Sequence, residues 1–183
     1  MTDADLENAL VDARRGDEWA ITLLFRSIQP QLLRYLSRQA PGVAEDLASE
    51  SWLSAAQSLA RFEGSVSDFR ALVFTIARRR VVDHYRRQGR HPTEVTLDDN
   101  EHEPARDAAD IAIEALSTQQ AIDVLVAALP PAQAEVVLLR VVADLSVEEV
   151  ARVMSRSPGA VRILQHRALR KLEKHVNQET VTN

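Results

Sequence analysis

The chain has 183 residues, a formal net charge of −5 and 27% charged residues; only 4% are aromatic and none is cysteine. That composition favours helices over sheets and excludes disulfide scaffolds, zinc knuckles, iron–sulfur clusters and thiol chemistry. The longest strongly apolar stretch, Val136 to Ala143, is too short to span a bilayer and is broken by Arg140, while the N-terminus MTDADLENAL is acidic where a secretory leader is basic. An all-α, soluble, cytoplasmic protein of one or two small domains is the expectation.

Residues 3–15 are predicted to form a short amphipathic helix with Leu6, Leu10 and Val11 on one side. A second helix runs from about Asp17 to Arg38, its apolar set being Trp19, Leu23, Leu24, Ile28, Leu32, Tyr35 and Leu36. Pro41-Gly42 breaks it. A third helix covers roughly Val43 to Arg61, and Glu63 to Ser67 form a loop. Ser67 or Asp68 is expected to cap a fourth helix that continues to about Gln88. From Gly89 to about Ala112 apolar residues thin out, which predicts a flexible linker. Ser117 and Gln120 fit a capping box for the next helix, which ends at Leu129-Pro130. Another helix spans Pro131 to Val142, and Ser146 with Glu149 forms a second box opening a short helix to Met154. Ser157 then caps a last helix with Pro158 in its first turn.

Charge is unevenly divided along this order. Arg61, Arg70, Arg78, Arg79, Arg80, Arg86, Arg87 and Arg90 face only Glu63, Asp68 and Asp83 between positions 61 and 91. Residues 92–116 reverse the sign, with Arg106 the sole base. A second basic stretch follows through Arg156, Arg162, Arg167, Arg170, Lys171 and Lys174. Two basic patches around an acidic segment suit two polyanion contacts joined by a connector that avoids polyanions; solvated helix faces are the plainer reading.

The segment Leu145 to Leu172 has the layout of a helix-turn-helix: a short capped helix, a three- or four-residue turn and a longer basic helix. Val161, Leu164, Ala168 and Leu172 share one face of that last helix and are expected to pack on Val150, Ala151 and Met154. Arg162, His166 and Arg170 lie opposite, flanked by Arg167 and Lys171. Ile163 projects on the polar side, as a contact for a thymine methyl or as an ordinary surface residue. A hairpin used only for protein contacts is the alternative to DNA reading.

Taken together, the two halves resemble the extracytoplasmic-function sigma factors, small two-domain members of the sigma-70 family that direct bacterial RNA polymerase. Asp46-Leu47-Ala48-Ser49-Glu50-Ser51-Trp52 resembles the family's Asp-Leu-x-Gln-Glu-x-Phe, with Ser49 for glutamine and Trp52 for phenylalanine. Phe69 to Arg87 resembles its Phe-x-x-Trp-Leu-x-x-Ile-Ala-Arg-Asn-x-x-x-Asp-x-x-Arg-Arg, with Leu72 for tryptophan and Arg79 for asparagine. Leu129-Pro130, Gly159-Ala160-Val161-Arg162 and His166-Arg167-Ala168 sit where the family has its second promoter-binding module.

The resemblance implies a domain 2 over residues 1–90, an acidic linker over 91–113, a domain 4 over 114–177 and a tail over 178–183. It implies that Glu45, Asp46, Ser49 and Glu50 meet the basic clamp helices of core polymerase, whose flap receives the second domain. Leu47, Trp52 and Leu59 then serve the inward side of that helix, Trp52 more as core than as a polymerase contact. Glu63, Ser65 and Ser67 would read the minus-ten element by taking one base from the stack. Arg78, Arg79, Arg80, Arg86 and Arg87 would neutralise phosphates, and Asp83 would touch DNA or hold Arg79 by an i, i+4 contact. Ser157, Arg162, Ile163, His166, Arg167, Arg170 and Lys171 would read the minus-thirty-five element. The linker would thread the polymerase cleft, or merely solubilise. Whether an anti-sigma factor holds the chain is open.

No catalytic constellation emerges. The histidines His84, His91, His102, His166 and His175 lack metal-ligand spacing, Asp98 to Glu101 lacks the marks of a calcium loop, and no glycine-rich phosphate loop occurs. A non-enzymatic protein without a cofactor is expected. The competing class is a stand-alone helix-turn-helix regulator that binds its operator without polymerase.

Overall fold

The computed structural model describes residues 2–89 and 129–181, with side chains as far as Glu173. The acidic linker and the helix expected from Ser117 lie outside the described residues. Among those described there are helices and turns and no strand, in two compact units, Met1–Pro92 and Thr93–Asn183.

The first unit contains α1 (Asp3–Arg14), α2 (Glu18–Gln39), α3 (Ala44–Leu59) and α4 (Val66–Arg87). Thr2 and Asp5 form a capping box on α1, and the hydrogen bonds from Thr2 hold the Asp5 carboxyl below its ordinary pKa. Asp17 caps α2 by accepting the Ala20 N–H at 2.7 Å. The core is the i, i+4 ridge Ala20, Leu24, Ile28, Leu32 and Leu36 of α2 packed on Leu10, Leu47, Ala55, Phe69 and Phe74. Tyr35 meets Phe74 edge-on at 5.7 Å, and the Tyr85 hydroxyl donates to the Gln39 carbonyl at 2.7 Å, joining the ends of α2 and α4.

Three expectations are corrected here. Trp19 is 71% exposed, and Val11 is also exposed. Each lies one residue, about 100°, from the buried ridge, which begins at small Ala20 in α2 and at Ala9 and Leu10 in α1. The cap of α4 is Ser65, not Ser67 or Asp68: Ser65 Oγ accepts the Asp68 N–H at 3.2 Å while Asp68 accepts the Ser65 N–H at 2.9 Å. A cap at Ser67 would have placed Arg70, which accepts nothing, where the box needs a carboxylate. Ser67 therefore sits inside the first turn of α4.

The second unit contains α5 (Pro131–Val137), a π-helical turn over Leu138–Val142, α6 (Val147–Met154) and α7 (Pro158–Val181). The single helix expected over 131–142 thus loosens after one half, its wider closure visible in the Ala143 N–H bonded to Leu138 at 3.1 Å. Arg140 turns to the chain end of this turn and donates to the Leu145 carbonyl at 2.5 Å. Ser146 and Glu149 form the expected capping box, with Glu149 only 1% exposed. Leu129, Val137, Ala168 and Leu172 make one apolar cluster, and Val150, Ala151, Met154, Val161 and Leu164 are buried as expected. Ser155 to Ser157 form the three-residue turn between α6 and α7. Ser155 is left-handed (φ 54°), and the Arg156 N–H reaches back to Ala151 at 2.9 Å, a Schellman closure built without glycine.

Candidate nucleic-acid and polymerase interfaces

The exposed side of α7 begins at Ser157, whose hydroxyl accepts the Ala160 N–H at 3.1 Å. Arg162 follows, its Nη2 3.2 Å from Glu148 Oε1 of α6, so the guanidinium is steered by the other helix of the motif. Ile163, His166 and Arg167 are half-buried, and Arg170 and Lys171 exposed. Residues 162, 166 and 170 fall on one side, away from buried Val161, Leu164, Ala168 and Leu172. Gln165 and Leu169 widen the buried face; Gln165 is only 2% exposed, a burial its polarity conceals in sequence. Glu148 likewise carries no mark in the sequence, since its contact with Arg162 crosses from α6 to α7.

The arginine-dense helix α4 divides its cations between two directions. Arg79, Asp83, Arg86 and Arg87 are exposed, and the Arg79 side chain has no partner among the described residues. Arg80 is turned toward α3, where its guanidinium meets Glu50 at 2.8 Å and Ser54 at 2.9 Å. Arg78 is half-buried and engaged within the chain. The Asp83–Arg79 pair is not formed; separately, Arg87 Nε donates to the backbone carbonyl of Asp83 at 3.3 Å. The physical reason is direction: a cation N-terminal to its acid is the weaker i, i+4 order on a helix.

The loop before α4 exposes Glu63 and Gly64 at its apex. Ser65 is occupied by the cap, its hydroxyl also donating to Asp68 Oδ2 at 2.8 Å. Gly64 has φ +146°, and a Cβ there would stand 2.9 Å from Asp68 Cβ, so only glycine fits.

On α3, Glu45, Asp46, Ser49 and Glu50 are all exposed along one edge, while Leu47 and Leu59 point inward. Leu53 continues that edge and is 64% exposed, an apolar residue missed in the sequence reading. Trp52 is half-buried: its Nε1 donates to Gln29 at 2.6 Å and its ring lies 5.0 Å from Phe25 and 6.3 Å from Phe69. It joins α2, α3 and α4. No helix among the described residues is long and apolar enough to cross a membrane.

Two family models match the chain: sigma-70 region 2 over residues 24–91 and sigma-70 region 4 over residues 119–172. The chain is 39% identical to the ECF RNA polymerase sigma factor BldN of Streptomyces coelicolor, over 87% of this chain and 61% of that protein. It is 34% identical to the ECF sigma factor SigD of Mycobacterium tuberculosis (93% of this chain, 84% of that one) and 36% identical to ShbA of Streptomyces griseus (87% and 89%). CnrH, solved in complex with the cytosolic domain of CnrY, shares the fold with a TM-score of 0.67 at 20% identity, over 95% of this chain and 98% of that one. A four-helix unit with an arginine ridge, a separate helix-turn-helix, and these relatives over most of the length lead to one assignment: the chain belongs to the extracytoplasmic-function sigma factors of the sigma-70 family.

Proposed function

We propose that this chain binds core RNA polymerase and directs promoter-specific initiation without chemistry of its own. Residues 1–90 act as domain 2, 91–113 as the acidic linker and 114–177 as domain 4, followed by a short tail. Glu45, Asp46, Ser49 and Glu50, with exposed Leu53, form the docking edge for the basic clamp helices. The Glu63–Ser65 apex and the Arg79, Arg86 and Arg87 ridge engage the minus-ten element, and the α7 face from Ser157 to Lys171 engages the minus-thirty-five element. An anti-sigma protein that covered the α3 edge would block polymerase docking.

The observation that favours this reading over a stand-alone operator binder is the juxtaposition on the first unit. An acidic, partly apolar edge on α3 adjoins an arginine ridge on α4. An operator binder has no use for the acidic edge, which would repel DNA. The test is binding of promoter DNA by purified chain with and without core polymerase. Weak binding alone and sequence-specific transcription with polymerase are expected. Tight, specific operator binding by the isolated chain overturns the proposal.

A further inference from the structure

Helix α1 lies before the span matched by the region 2 model, yet two of its side chains reach the loop that precedes α4. Glu7 Oε1 accepts the N–H of Val66, the first residue of α4, at 2.9 Å. Arg14 Nη2 donates to the carbonyl of Gly64, and its guanidinium carbon lies 5.7 Å from the Phe62 ring centroid. Glu7, Leu10 and Arg14 stand at i, i+3 and i+7, one side of a helix, and Leu10 is buried. Phe62 is itself seated edge-on against Phe69 at 5.4 Å. The loop is therefore clamped twice. From within, the Ser65–Asp68 box fixes its exit into α4. From outside, Glu7 satisfies a helix N-terminal N–H and adds negative charge to the positive end of the α4 dipole, while Arg14 holds the apex carbonyl.

We propose that Glu7 and Arg14 are specificity-positioning residues, which set the conformation in which the exposed Glu63–Gly64 apex meets a base. The inference rests on the minus-ten role proposed above for this loop. Helix α1 restrains the apex from outside the loop's own segment, through contacts 50 and 59 residues away along the chain. An unbraced apex with exposed Glu63 and Gly64 would sample several geometries and discriminate poorly between bases, since recognition depends on a group held in place before binding.

The experiment is transcription from a promoter library randomised separately in the two promoter elements, using full-length chain with core polymerase. Glu63→Ala tests the reading itself and is expected to change the minus-ten preference profile. Glu7→Ala and Arg14→Ala are expected to flatten that profile, lowering the ratio between best and single-base-variant sequences roughly fivefold, about the factor for one hydrogen bond. The minus-thirty-five profile should not move. Glu7→Gln keeps an acceptor oxygen and should retain the wild-type profile. Should Arg14→Ala fail to fold in a thermal melt, Arg14→Gln carries the same expectation. If Glu63→Ala changes the profile while the α1 variants lower all promoters alike, α1 is only a structural prop and the inference falls, the loop's role standing. If Glu63→Ala leaves the profile unchanged, that role falls and takes the inference with it.

Discussion

Arg79 and Arg80 are adjacent, yet one turn-fraction of about 100° sends the first to solvent and the second to Glu50 and Ser54. Their substitutions should separate accordingly. Arg80→Ala is expected to lower stability of the first unit in urea melts by up to about 1 kcal/mol, the range for a partly exposed ion pair. Arg79→Asn should leave stability within about 0.5 kcal/mol, and under the proposed function its effect is expected on DNA. If Arg79 reads a base, Arg79→Asn shifts the minus-ten sequences preferred in a promoter library; if it only meets phosphate, Arg79→Lys is nearly silent and the preference stays fixed. Base contact is the expected outcome, because the exposed Arg86 and Arg87 further along α4 already offer charge to phosphates. On α7, Arg162→Ala should lose about 1–3 kcal/mol of minus-thirty-five discrimination, whereas Lys171→Ala should weaken all sequences alike and reduce the slope of affinity against salt. Competition binding on specific and random duplexes distinguishes the two.

At the level of elements, caps decide where the helices begin, and their strength is measurable. Glu149 is buried and accepts the Ser146 N–H at 2.6 Å. Glu149→Ala leaves that donor unmet and should destabilise the second unit by about 1–3 kcal/mol. Ser155, left-handed at φ 54°, is the opposite case. Ser155→Gly relieves a conformation that L-residues disfavour and should raise the melting temperature, by about 1 kcal/mol in stability terms. Both effects are read by thermal denaturation. These elements also show what a sequence exposes. The Ser146–Glu149 box and the Ser157 cap are legible because donor and acceptor stand three residues apart. The choice among Ser65, Ser67 and Asp68 is harder, since each can cap and only the carboxylate at the third position separates them. Trp19 and Gln165 mislead through side-chain chemistry: register, not polarity, puts one outside and the other inside. The π-helical turn is a backbone slip with no composition signal. The hold of Glu7 and Arg14 on the loop is illegible for another reason, because it spans 59 and 50 residues of sequence.

For the molecule as a whole, the order of the motifs was legible where no single one was decisive, since two basic segments and a helix-turn-helix pattern survive substitution at individual positions. The net charge of −5 hides this distribution. An acidic chain carrying local arginine ridges is repelled by DNA at long range and attracted at contact, so polymerase must supply the approach. Free chain is expected to show feeble duplex binding that vanishes with modest salt, while the complex with polymerase keeps a measurable, sequence-dependent affinity under the same conditions. Electrophoretic or fluorescence titration at two ionic strengths checks it.

The two tryptophans occupy contrasting surroundings, Trp19 largely in water and Trp52 wedged beside Phe25 with its indole N–H bonded to Gln29. Chain grown with 5-fluorotryptophan therefore gives two fluorine resonances, one per site, against a silent background from unlabelled polymerase and DNA. Trp19→Phe assigns them. If the α3 edge seats on polymerase, the Trp52 line shifts and broadens when core enzyme is added, making that indole a built-in spectroscopic gauge of docking, readable before any promoter is present.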